Sequence, residues 1–117
     1  MNIYIDSKNH PHIRIDVLLA SSKKVDCFID TGYTGGLSLP DSFRSLINMD
    51  RISFQDFEIG NGSIMTVEMY KVKIRYEKVE KNISLMFTKG DDALVGIEFL
   101  TGFKLTLDLK KFTISLD

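Results

Sequence analysis

The sequence has no tryptophan and only one cysteine, two prolines and two histidines in 117 residues. A lone thiol, Cys27, cannot close an internal disulfide, and with two imidazoles it falls short of a structural zinc cluster. No metal and no cofactor are expected. Such sparing cysteine use fits a reducing compartment, and a cytoplasmic protein is expected. There is no apolar run of about 18 residues, so no membrane-spanning helix and no membrane partner are expected. The segment from Met1 to Pro11 has no basic stretch leading into an apolar core, so no secretory signal is read there. A dominant sign of charge is missing as well. Fifteen Lys and Arg against 16 Asp and Glu leave a net charge of -1. No global positive field points to nucleic acid. Linkers, repeats and low-complexity tracts are also lacking, and the length is that of a single domain, 1–117. A chain this short buries about 60–70% of its unfolded surface and has little room for a deep cleft between two lobes. A second subunit is a natural source of the other wall of any site.

What the sequence does have is alternation with period two, the pattern of half-buried antiparallel strands. Ile13, Ile15 and Val17 share one face, and so do Val25, Cys27 and Ile29. Val67 and Met69 lead into Val72 and Ile74 with a change of phase near Tyr70 and Lys71. Ile83, Leu85 and Phe87 follow, then Leu105, Leu107 and Leu109, and finally Phe112, Ile114 and Leu116. Two segments depart from this pattern. Pro40 to Ile47 puts Phe43, Leu46 and Ile47 at helical spacing, with Pro40 suited to the first turn. Ile97 to Thr101 has room for one or two turns ended by Gly102. Turn residues cluster at Ser21-Ser22-Lys23, Gly60-Asn61-Gly62, Gly90-Asp91-Asp92 and Lys110-Lys111. The fold class is therefore all-β with one or two short helices, arranged as a small closed or partly closed barrel.

The densest cluster of informative residues is Phe28-Ile29-Asp30-Thr31-Gly32-Tyr33-Thr34-Gly35-Gly36, where an apolar strand runs into an acid, a hydroxyl and a glycine. Taken alone, Asp-Thr-Gly is compatible with an ordinary turn. A strand ending in Asp-x-Gly also resembles the phosphate-contacting hairpin of actin-like ATPases and sugar kinases. Those proteins require two large domains, and no P-loop lysine motif occurs here. The wider sequence favours a third reading. Phe28 to Gly32, continued by Leu37-Ser38-Leu39-Pro40, resembles the signature of the retroviral-type, or retropepsin-like, aspartic proteases in their bacterial and archaeal single-domain branch. Ile59-Gly60-Asn61-Gly62-Ser63 is similar to the hairpin in that family's flap region, and Ala93 to Leu100 to its second signature of an apolar pair, a glycine and a short helix. The likeness extends over about residues 12–116. Two positions depart from it: Tyr33 stands where the family most often has a small residue, and Glu98 where many members carry Asp, Asn or Arg.

The resemblance implies an aspartic endopeptidase of the retropepsin-like acid protease fold that uses no metal. Hydrolysis by this route needs two carboxyls sharing one proton, because like charges about 3 Å apart do not both ionise easily. One member activates a water and the other protonates the carbonyl oxygen. With one Asp-Thr-Gly per chain, the expected unit is a symmetric homodimer with Asp30 from each subunit at the two-fold axis. Gly32 would let the backbone turn tightly and offer its N–H to a carboxylate, and Thr31 would hydrogen-bond across the axis. Tyr33 and Thr34, with the flap residues Gly60, Asn61, Gly62, Ser63, Ile64 and Met65, are the implied contacts for an extended peptide, and Leu94, Val95 and Gly96 the support behind the active-site loop. Two other readings stay open: a catalytically inactive protease-like domain that dimerises or binds peptides, and a monomeric β domain whose Asp-Thr-Gly is a turn. The acids Asp26 and Asp41 lack the same setting. Among the remaining features, His10-Pro11-His12 reads as a solvated N-terminal turn and Cys27 as a small buried hydrophobe. Lys71, Lys73 and Arg75 read as a solvated strand face.

Overall fold

The computed structural model describes residues 2–47 and 53–117. Ten strands follow in chain order: β1 (Ile3–Ile5), β2 (Pro11–Leu18), β3 (Ser22–Ile29), β4 (Leu37–Pro40), β5 (Ser53–Glu58), β6 (Ile64–Tyr76), β7 (Val79–Thr88), β8 (Ala93–Val95), β9 (Leu105–Asp108) and β10 (Thr113–Leu116). Two short helical segments interrupt them, a 3-10 helix at Asp41–Leu46 and α1 at Ile97–Leu100. The strands pair in the order β1-β2-β3-β8-β4-β7-β6-β5, and β2 also pairs with β6. That extra pairing closes six strands, β2, β3, β8, β4, β7 and β6, into a barrel. Closure leaves those strands no free edge.

The alternating residues fill the barrel. Ile13, Ile15, Val17, Cys27, Leu37, Leu39, Ile74, Leu85, Val95 and Phe99 are fully buried. The phase change near Tyr70 has a structural cause. Up to Met69 the long strand β6 pairs with β5, and from Tyr70 onward it pairs with β7. Met69 and Tyr70 are both buried at this handover, and Val72, Ile74 and Tyr76 then face inward while Lys71, Lys73 and Arg75 face solvent.

The structure departs from the sequence reading in three places. The segment after Pro40 forms a 3-10 helix with no fully buried residue, and Pro40 precedes it instead of opening its first turn. With only Phe43, Leu46 and Ile47 partly covered, too narrow an apolar stripe is buried to hold α-helical turns. Leu107 and Leu109 do not continue an inward face: they are 40% and 57% exposed, because β9 and β10 form a separate two-stranded hairpin outside the barrel. His12 is not in a solvated turn. It is buried on β2, which Pro11 begins.

Three barrel strands set the frame for the site. β8 runs parallel to β3, with Ile29 opposite Val95, and antiparallel to β4, with Leu37 opposite Val95. The chain leaves β3 at Asp30, loops through residues 31–36 and returns as β4 with β8 inserted between the two strands. The loop is thereby pinned on both arms.

Candidate active site

Asp30 follows the last residue of β3, and its N–H donates to the carbonyl of Val95 at 2.9 Å. The backbone then turns at once. The Tyr33 N–H donates to the Asp30 carbonyl at 3.1 Å, and the Gly32 N–H donates to the Asp30 Oδ1 at 2.9 Å. The carboxylate is thus held by its own turn, while Thr31 and Gly32 are exposed beside it. Asp30 borders a cavity of about 330 Å³, whose other walls include His10, Phe28, Asp92 and Leu94. Leu94 therefore faces the same space as Asp30. Val95 supports from behind, fully buried and paired on both sides.

Gly96 and Gly36 are the points where the loop and α1 meet. Gly96 donates to the Gly36 carbonyl at 3.0 Å, and the next two N–H groups, of Ile97 and Glu98, donate to the carbonyls of Tyr33 at 2.8 Å and Gly35 at 3.1 Å. A methyl group on Gly96 would overlap those same two carbonyl oxygens. One on Gly36 would meet the Ser84 carbonyl and the Glu98 Oε1. The beginning of α1 is laid directly against the loop, which only glycine permits at this separation. Lys81 secures the other end of α1. Its ammonium donates to the carbonyls of Phe99 at 2.7 Å and Glu98 at 3.4 Å, and to that of Thr101. It also lies over the Phe99 and Phe103 rings. Burial lowers its pKa, and the charge of Glu98 partly opposes that.

Tyr33 does not crowd Asp30. Its ring folds back over Gly35 and Gly96 and lines a second cavity, of about 480 Å³. Thr34 borders that cavity too, as do Gln55 and Phe57 of β5, Ser84 and Glu98. The Tyr33 hydroxyl is enclosed without a hydrogen-bond partner among the described residues, and burial, then the charge of Glu98, pushes its pKa up to about 12. Gln55, Phe57, Met69 and Ser84 carry no motif that would mark them as lining a site; only the register of β5 on β6 and of β6 on β7 brings them to it.

Gly60 to Ser63 form the tip of the β5–β6 hairpin. Gly62 donates to the Ile59 carbonyl at 2.8 Å, and the Asn61 side chain accepts from the Ser63 N–H at 2.9 Å and from its hydroxyl. Ile64 and Met65 are 68% and 46% exposed. Met65 borders a third cavity, which Arg44 and Phe87 also line. In this conformation the hairpin tip does not line the cavity that holds Asp30.

A cluster missed by the sequence reading stands beside this cavity. The His12 imidazole lies between two carboxylates, with Nε2 2.6 Å from the Asp6 Oδ2 and Nδ1 2.8 Å from the Asp26 Oδ1. It stacks on Tyr4, whose hydroxyl donates to Asp26, and it packs on Phe28, which faces Asp30's cavity. The available signal was that Tyr4, His12, Asp26 and Phe28 all take outward positions on neighbouring strands, where cross-strand pairs form. The backbone N–H of His10, then His12 itself, holds the Asp6 carboxyl down at about 2 against the opposing effect of burial. Burial alone would raise the Asp26 carboxyl, but hydrogen bonds from Tyr4 and His12 carry it below its ordinary value. His12→Ala is expected to cost about 2 kcal/mol in chemical denaturation, since it removes a buried ring that packs on Tyr4 and Phe28 and contacts both carboxylates. A depressed carboxyl stabilises above its unfolded pKa, and that contribution is lost as pH falls through the folded value. The Asp6 contribution is therefore complete above pH 3.8 and lost towards about 2. Asp6→Asn should flatten the fall in melting temperature across that window.

The chain is similar in structure to solved proteins over most of its length. It is similar to a retropepsin-like aspartic protease from Rickettsia conorii, with a TM-score of 0.65 and 21% identity over 91% of this chain and 82% of that one. The fold is retropepsin-like. It is also similar to the protease of Simian Foamy Virus (mac), with a TM-score of 0.59 and 12% identity over 76% of this chain and 90% of the other. No protein-family model and no curated protein matches the sequence. In this retropepsin-like fold the expected all-β barrel with short helices is realised, with the Asp-Thr-Gly turn pinned between β3 and β4. Among the described residues no group of three or more His, Cys, Asp or Glu is arranged to hold a metal ion, and no helix is long and apolar enough to cross a membrane.

Proposed function

We propose that the protein is an aspartic endopeptidase of a reducing compartment such as the cytoplasm, working as a symmetric homodimer. The single chain is one retropepsin-like unit that supplies half a site. The observation that carries this reading is the setting of Asp30: a carboxylate on a turn held by the Gly32 N–H, at the rim of a cavity, in a retropepsin-like barrel. Asp30 of each subunit, brought together at the two-fold, would share one proton. The ionised carboxylate takes a proton from water as the water oxygen attacks the peptide carbonyl. The protonated partner donates to the carbonyl oxygen, and collapse of the tetrahedral centre releases amine and acid. Thr31 ties the two turns together across the axis. Val95 and Gly96 fix the turn from behind, and Leu94 walls the substrate space. Tyr33 and Thr34 line a second, neighbouring part of the substrate site, and Gly60 to Met65 form a flap whose backbone pairs with an extended peptide. That Tyr33 lines a cavity separate from the one at Asp30 supports this reading over an inactive relative, since its bulk leaves the carboxylate unobstructed.

Stoichiometry tests the proposal. A peptide isostere with a secondary alcohol in place of the scissile carbonyl mimics the tetrahedral centre and should titrate one molecule per two chains. The complex should have twice the 13.3 kDa mass of one chain. A strict monomer at micromolar concentration that binds no isostere would overturn it.

A further inference from the structure

The cavity lined by Tyr33 and Thr34 combines apolar side chains with a single carboxylate. Tyr33, Phe57, Met69 and Ile97 give it hydrocarbon and aromatic surface, Thr34, Gln55 and Thr101 add neutral polar groups, and Glu98 lines it beside Ser84. The Glu98 Oε1 accepts from the Ser84 N–H at 2.8 Å and from its hydroxyl at 2.5 Å. Both donors are neutral. Among the described residues no cation forms an ion pair with this carboxylate, and its second oxygen retains acceptor capacity. Lys81 acts on it only at longer range, with an ammonium committed to three carbonyls at the end of α1. No other charged side chain lines the cavity. A half-buried negative charge in a cavity that also offers hydrocarbon and aromatic side chains complements one kind of peptide side chain: an aliphatic stem carrying a positive tip.

We infer that Glu98 is a specificity-determining residue that selects a lysine or arginine side chain of the substrate in this cavity. The inference rests on the peptidase reading. It also places the preferred residue. Tyr33 is three residues past Asp30, so their Cα atoms are at most about 11 Å apart. An extended peptide rises about 3.3 Å per residue, so the selected side chain is within about three residues of the scissile bond. The volume, about 480 Å³, accommodates a long side chain.

The test uses the full chain and a peptide set in which each position near the scissile bond carries lysine, norleucine or glutamate in turn. Norleucine keeps the stem and removes the charge. At one position lysine should exceed norleucine in kcat/KM by about tenfold, with glutamate below both. Glu98→Gln keeps an acceptor for Ser84 and should bring the lysine advantage down to about twofold while norleucine peptides are still cleaved. Gln55→Lys, at an exposed position on the rim of the cavity, should reverse the order of lysine and glutamate without disturbing the interior. No lysine preference at any position, or one that survives both substitutions, overturns the inference and leaves the peptidase reading intact. If no peptide is cleaved, the peptidase reading fails. The same lysine-to-norleucine ratio, measured as binding to the Asp30→Asn variant by fluorescence anisotropy, then decides the inference. Equal affinities, or no binding, overturn it.

Discussion

Asp30→Asn is expected to lower peptide hydrolysis by about 10⁴-fold, with the fold retained. The proposed chemistry needs a group that takes a proton from water and one that gives a proton to the carbonyl oxygen. Two amides can do neither, and in a homodimer one substitution removes both carboxyls. The fold should survive, because the amide oxygen still accepts from the Gly32 N–H now 2.9 Å from the Asp30 Oδ1, and neither N–H that pins the turn involves the side chain. Single-turnover hydrolysis together with a thermal melt checks both halves. A variant that keeps more than about a tenth of the activity would place the chemistry elsewhere, since one general acid–base group is worth at least about 10².

Gly96→Ala is expected to destabilise the protein by about 4 kcal/mol, the largest effect of any single methyl group considered for this chain. The added carbon would overlap the carbonyl oxygens of Tyr33 and Gly35 and the Tyr33 ring. Those carbonyls accept the N–H groups of Ile97 and Glu98, so the clash falls on the bonds that dock α1 against the Asp30 loop. Backbone on both sides leaves no flexible side chain to swing aside. Gly60→Ala provides the contrast: nothing lies within 4 Å of its added carbon, and it should stay within about 0.5 kcal/mol of the parent in urea denaturation. A Gly96→Ala protein as stable as the Gly60→Ala one would mean that the α1 contact yields easily.

How much of this was legible in the sequence depends on what kind of information each part needs. Ile13, Ile15, Val17, Ile83 and Leu85 announce their inward faces because a strand has a fixed period, and a period is local. The phase slip near Tyr70 was legible as well, but its meaning was not: β6 exchanges β5 for β7 there, and the partner of a strand is not written in the strand itself. His12 misled the reading for a related reason. Near a proline and a second histidine it looks like a solvated turn, and only the pairing of β2 with β1 and β3 brings Tyr4, Asp26 and Phe28 around it. Leu107 and Leu109 alternate like core residues and still face solvent, because alternation predicts two faces and says nothing about whether a second layer covers either.

By itself the sequence determined the all-β class, the place of the Asp-Thr-Gly turn and that the 117 residues carry one such motif. These follow from residue identity, periodicity and count. The tertiary structure alone decided that β8 slots between β3 and β4 and so pins Asp30, that Tyr33 turns away from it, and that Glu98 lines a cavity to which β5 also contributes. Those outcomes depend on which distant segments become neighbours when the barrel closes. Closure is a property of the whole set of hydrogen-bonded strand pairs, and no single segment encodes it.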